Sequence, residues 1–174
     1  MHDFNDLITK TTILTIDALN HQRDNLLKLN DNHTTSNVKF LQMIALQKAI
    51  FVTGMFAIFD AELQKKLNCN DGFKEVLKIL KYNSKKELTL RFRYFKLAVN
   101  VIKHGKGANY DTLLADNDNL PFTLKQNEDD FFNEGDIDEI STLIKVDDDF
   151  LRNCADLINE ISEIIKLKQK DLNS

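Results

Sequence analysis

The sequence predicts an all-α fold, an up-and-down bundle of four to five helices with an irregular acidic insert and room for a small β-hairpin. Three observations carry that prediction. Five Gly and one Pro in 174 residues are too few for the tight turns of a sandwich. Apolar residues recur every three to four positions over long stretches. Between them lie runs of Asn, Asp, Ser and Thr, which bond their own backbone and so stop one helix and cap the next. With 43% hydrophobic residues the chain can bury one sizeable core, so residues 1–174 are read as one domain.

The first helix is expected over 4–29, where Phe4, Leu7, Ile8, Leu14, Ala18, Leu19, Leu26 and Leu27 share a helical period. The run NDNHTTSN ends it, and the second helix begins near Ser36. Its apolar stripe, from Phe40 through Ile50, Phe56 and Ile58 to Leu67, is so wide that much of the circumference must be covered, which makes it the central helix. Residues 68–72 break the pattern. A short helix follows over 73–80, with Phe73, Val76, Leu77 and Leu80 on one side and lysines opposite. Ser84 and Glu87 then have capping-box spacing. In the helix they introduce, Leu88, Phe92, Phe95, Val99 and Ile102 alternate four and three apart, the seam of a helix packed along another, and Gly105 ends it.

Beyond Gly107 the periodicity fades, and 108–146 reads as a loop or insert holding Pro121 and most of the acidic excess. Within it 142–146, TLIKV, has strand composition, and 122–125 can pair with it as a small hairpin. Asp147 is the expected N-cap of the last helix, with Asp148 and Asp149 favourably placed in its first turn. Leu151, Cys154, Leu157, Ile158, Ile161, Ile164 and Ile165 form its buried face. No internal repeat or low-complexity tract interrupts this plan.

The net charge of -4 conceals two blocks of opposite sign. Residues 65–106 hold twelve Lys or Arg against Asp71, Glu75 and Glu87, a net of +9; residues 111–148 hold twelve Asp or Glu against Lys125 and Lys145, a net of -10. Either these are solvated faces that neutralise one another, or the basic face attracts a polyanion such as RNA and the acidic segment frames or covers it.

Several classes are disfavoured. Cys69 and Cys154 are far apart, with no CxxC and no clustered histidines, so neither a disulfide framework nor a zinc site is indicated and both thiols are expected reduced. There is no GxxxxGK[ST] loop, no Rossmann glycine fingerprint and no Ser or Cys nucleophile motif, so no metal or organic cofactor is expected. MHDFNDLITK lacks the form of a secretory leader, and the apolar runs are interrupted short of a membrane span; a cytoplasmic protein without a membrane partner is expected.

The segment RFRYFKLAVNVIKHGKG holds the candidate site. Residues four apart stack on one helical face, so Lys96, Asn100 and His104 form a polar column flanked by Arg93 and Lys103. A histidine can move a proton near neutral pH, an amide can orient a phosphate oxygen, and cations can stabilise a phosphorane, which together suit metal-independent RNA cleavage. Gly105 and Gly107 permit close backbone approach, with Lys106 a further cation between them. The same residues also form a helix end: Lys103 and His104 suit the negative end of the dipole, and Gly105 suits the left-handed residue after it.

The stretch AVNVIKHGKG, preceded by an amphipathic helix, resembles the HEPN superfamily of helical bundles, many of them RNases of toxin and phage-defence systems. The likeness covers mainly 84–114. The family signature is an arginine followed by a polar residue and, a few positions on, a histidine; here Asn100 matches the polar position and His104 the histidine, while Val99 stands where the arginine would be. The resemblance implies a homodimer with the motif helices facing each other, RNA as ligand, a cognate protein partner, His104 and Asn100 as catalytic residues, and Arg93, Lys96, Lys103 and Lys106 as phosphate contacts. Three functions stay open: an RNase or toxin component, a noncatalytic HEPN-like RNA-binding or partner-binding module, and a helical dimerisation scaffold.

Overall fold

The computed structural model describes residues 4–29, 35–126, 140 and 142–172. It is an all-α helical bundle: α1 (Phe4–Leu29), α2 (Thr35–Leu67), α3 (Gly72–Tyr82), α4 (Lys86–His104), α5 (Ala108–Leu114) and α6 (Asp148–Leu172), with a 3-10 turn over Asn117–Asn119. Consecutive helices α1 to α5 pack on one another, and α6 returns to contact α1, α2 and α4.

One apolar cluster runs through the bundle from Ile8 of α1 to Ile165 of α6. Aromatic rings join its parts. Phe73 of α3 meets Phe92 of α4 edge-on at 5.4 Å, fixing the short lysine-rich helix beside the long one. Phe95 of α4, Phe122 and Phe150 of α6 form a triangle with centroids 5.2 to 5.4 Å apart, which anchors the segment after the 3-10 turn.

The predicted seam of α4 is observed, with Phe92, Phe95 and Val99 buried and Leu88 and Ile102 half-buried. Asp147 caps α6, its Oδ1 accepting from the Phe150 N–H at 2.9 Å. Gly105 ends α4 at φ 73°, and its N–H donates to the Val101 carbonyl at 2.8 Å.

Five expectations are corrected. The stretch 108–146 is not all loop: α5 forms at its start, burying Tyr110 and Leu113 three residues apart, a pattern too short to register as a period. The hairpin is reduced to a single antiparallel bridge, Leu124 to Ile144, held by Lys125 N–H to Leu143 O (2.8 Å) and Lys145 N–H to Thr123 O (3.1 Å). Most of the acidic insert, 127–139, lies outside the described residues. The Ser84–Glu87 capping box does not form. Ser84 instead takes a left-handed conformation, φ 55°, because only 83–85 separate α3 from α4, and the cap position falls to Lys85, which makes no side-chain cap bond.

The other two corrections concern which face is inside. In α1 Leu7 and Leu14 are exposed, and the buried row is Asn5, Ile8, Thr12 and Ile16, the face turned toward α6; Thr9 beside it accepts from Asn159 of α6 at 2.7 Å. In α2 Val52, Met55, Phe56, Phe59 and Leu63 are core, whereas Met43, Leu46, Ile50 and Ile58 are exposed. By length and composition, Asn37–Leu67 is also apolar enough to cross a membrane, which the interrupted runs of the sequence did not suggest. A cation sits inside this helix: buried Lys48 pairs with Asp148 at the start of α6.

Candidate nucleic-acid interface

A groove of about 750 Å³ runs between α3 and α4. α3 contributes Leu77 and Lys81, and the connection contributes Ser84 and Lys85. From α4 come Lys86, Thr89, Leu90, Arg93, Lys96, Leu97 and Asn100, positions that recur every three to four residues and so occupy one face. Asn109 of α5 joins the lining beside them.

Five of these residues are cationic, Lys81, Lys85, Lys86, Arg93 and Lys96, and no carboxylate is among the described lining. None of the five is ion-paired among the described residues. The neighbouring charges are used differently. Arg91 pairs with Glu160 of α6 and Lys78 with Glu75 within α3, at 2.8 Å in the second case. Arg91 and Lys78 are thus neutralised outside the groove, whereas the described groove lining carries charge of a single sign. Lys96 Nζ lies 6.0 Å from the centre of the Phe73 ring, within the range of a cation–π contact, so its position is set from α3 as well as α4.

The predicted site divides. Arg93, Lys96 and Asn100 line the groove together. Lys103 and His104 continue the same edge of α4 but are exposed in its last turn, outside the lining, and Lys106 is exposed on the connection to α5. One feature of a helix end is therefore present at 103–105, basic side chains in the last turn; Gly105 follows at positive φ, 73°, but its ψ of -149° is not that of the left-handed helical cap. Val99, at the arginine position of the HEPN signature, is a core residue. Sequence reasoning missed Lys81, Lys85, Lys86 and Asn109 as lining. The basic block 65–106 contained the three lysines, but only the packing of α3 on α4 shows which of its cations converge.

Two tethers hold α5 and its neighbours in place. The Tyr94 hydroxyl of α4 donates to Asp116 Oδ2 at 2.7 Å, a bond that, with burial, raises the phenol above its ordinary range. The Tyr110 hydroxyl donates to the carbonyl of Lys125 at 2.9 Å, tying α5 to the bridge segment.

A second, smaller cavity of about 180 Å³ lies at Arg23, Lys48, Lys125, Lys145 and Asp147, where α1, α2 and the bridge segment meet. Among the described residues no group of three or more His, Cys, Asp or Glu could hold a metal ion. Cys69 and Cys154 are free thiols, and complete burial pushes that of Cys154 well up. No family model matches the chain, and no curated protein or solved structure matches it at a significant level.

Proposed function

We propose that this chain is an RNA-binding helical protein of the HEPN kind, a component of a toxin–antitoxin or phage-defence system acting in the cytoplasm as a homodimer with a cognate protein partner. The observation that carries the reading is the single-signed groove: five cations without a carboxylate among its described lining residues. Lys86 and Lys96 are ten residues apart on α4, about 15 Å along the axis, so the row is long enough to follow several phosphates of a backbone. Arg93 offers a planar fork for phosphate oxygens and Asn100 an amide at the end of the row.

Binding is favoured over cleavage because the arginine position of the signature is occupied by buried Val99 and because His104 stands outside the groove lining. Cleavage would use His104 as general acid and base, Asn100 to orient the substrate, and Lys103 and Lys106 on the phosphate. The test is a mixed RNA pool in EDTA with the wild type, Arg93→Glu and His104→Ala. Binding lost in Arg93→Glu, without cleavage, supports the reading; cleavage lost in His104→Ala establishes the catalytic version; no binding by the wild type removes both.

A dimerisation scaffold is the second reading, favoured by α2. Its exposed positions from 43 to 61, Met43, Leu46, Gln47, Ile50, Ala57, Ile58 and Ala61, carry no charge. A second copy of the chain is the occupant this reading requires.

A further inference from the structure

We infer that Tyr82 is a base-stacking residue, so that the strand held in the α3–α4 groove must present an unpaired nucleobase. The inference rests on the reading of that groove as a nucleic-acid interface.

Tyr82 is 88% exposed, more than any other large apolar side chain among the described residues. A tyrosine ring ordinarily repays its ordering by burying 150–250 Å² or so, and this one does neither that nor, among the described residues, any hydrogen bonding or ring contact. Its place in the chain is specific. Lys81 before it and Ser84, Lys85 and Lys86 after it all line the groove, while Tyr82 itself stands next to the lining rather than in it.

The connection that follows Tyr82 is closed by hydrogen bonds. Asn83 N–H and Nδ2 both donate to the Ile79 carbonyl, at 3.0 and 2.9 Å. Ser84 N–H donates to Lys81 O at 3.1 Å, and Lys85 N–H to Leu80 O at 3.0 Å. The left-handed Ser84 then turns the chain directly into α4. An exposed aromatic residue therefore ends α3, between Lys81 and the Ser84–Lys86 segment that line the groove.

Those are the two parts of single-strand recognition. Cations follow the phosphate backbone whatever its sequence, and an aromatic face takes a base, which every base can offer once it is unpaired. In a duplex the bases are already stacked inside, and only the cations would be engaged. An acidic peptide would likewise use the charges and gain nothing from the ring.

Anisotropy titrations of labelled single-stranded RNA, of an abasic strand with the same number of phosphates, and of a duplex test the inference with the wild type, Tyr82→Ala and Tyr82→Phe. Tyr82→Ala should bind the base-bearing strand about tenfold more weakly, with the abasic strand and the duplex unchanged, and Tyr82→Phe should match the wild type. If the wild type binds these ligands and Tyr82→Ala loses nothing on the base-bearing strand, stacking is overturned while the groove stands. If Tyr82→Ala weakens all ligands equally, stacking is also overturned. If the wild type binds none of them, the groove reading fails and this inference with it.

Discussion

Lys96 Nζ stands 6.0 Å from the centre of the Phe73 ring, so a cation of the groove is held over an aromatic side chain that is itself packed edge-on against Phe92. The core of the α3–α4 pair thereby sets the position of a charge on its surface. Lys96→Met keeps the apolar stem and removes the charge. It should weaken polyanion binding several-fold while costing about 1 kcal/mol of stability, the order of a cation–π contact at a half-buried site. Urea unfolding and a binding titration on the same sample separate the two effects.

Lys48 and Asp148 make the ion pair that joins α2 to α6, at 2.6 Å, with Asn20 of α1 donating to the same carboxylate at 2.7 Å. Burial pushes the Asp148 carboxyl up, but the hydrogen bonds from Lys48 and Asn20 outweigh it and leave the group below its ordinary value. A carboxyl lowered in the folded state stabilises the fold above its unfolded pKa, and that stabilisation is lost as pH falls through the folded value. Lys48→Met should cost about 1–2 kcal/mol at neutral pH, less than a fully buried pair because Asp148 remains partly exposed, and should flatten the acid limb of the stability curve. Chemical denaturation of both proteins between pH 7 and the acid limit checks this.

Two glycines should respond to alanine with opposite signs. A Cβ at Gly72 would lie 2.6 Å from Leu63 Cβ and 2.9 Å from the Asp60 carbonyl, neither of which can move freely. Gly72→Ala should therefore destabilise by about 1–3 kcal/mol. At Gly54, inside α2, a Cβ would meet nothing within 4 Å. Gly54→Ala should stabilise by about 0.5–1 kcal/mol through helix propensity. Thermal melts of the two variants give the comparison directly.

Much of this fold was legible because its signals are local. Leu88, Phe92, Phe95, Val99 and Ile102 announce the α4 seam, and Asp147 announces the start of α6, since both depend on spacing within one helix. What was not legible depends on partners. Leu7 and Leu14 have the same period as Ile8 and Ile16, and only the docking of α6 decides which row is inside. Ser84 has the spacing of a cap, but a three-residue connection forces it left-handed. The groove follows the same rule: Arg93, Lys96 and Asn100 share a helical face and could be grouped from sequence, whereas Lys81 and Asn109 arrive from other helices.

His104 tests whether the end of α4 does more than terminate it. It is exposed in the last turn, beyond the groove lining. If its role is capping, His104→Ala should cost about 0.5 kcal/mol at low salt and leave RNA binding unchanged. A metal-independent cleavage activity abolished by that substitution would instead assign it to chemistry. Denaturation and RNA integrity, measured on one preparation, give the two readouts.

The most direct measurement of the central claim is the salt dependence of single-stranded RNA binding by the wild type, by Arg93→Glu/Lys96→Glu, and by Lys28→Glu/Lys65→Glu, whose exposed lysines lie outside the groove lining. Five phosphate contacts correspond to a slope of about -3.5 in log K against log salt. The wild type should give a slope near that value, roughly halved by the groove pair and unchanged by the control pair. Equal losses in both double variants, or a slope near zero in the wild type, would contradict the claim.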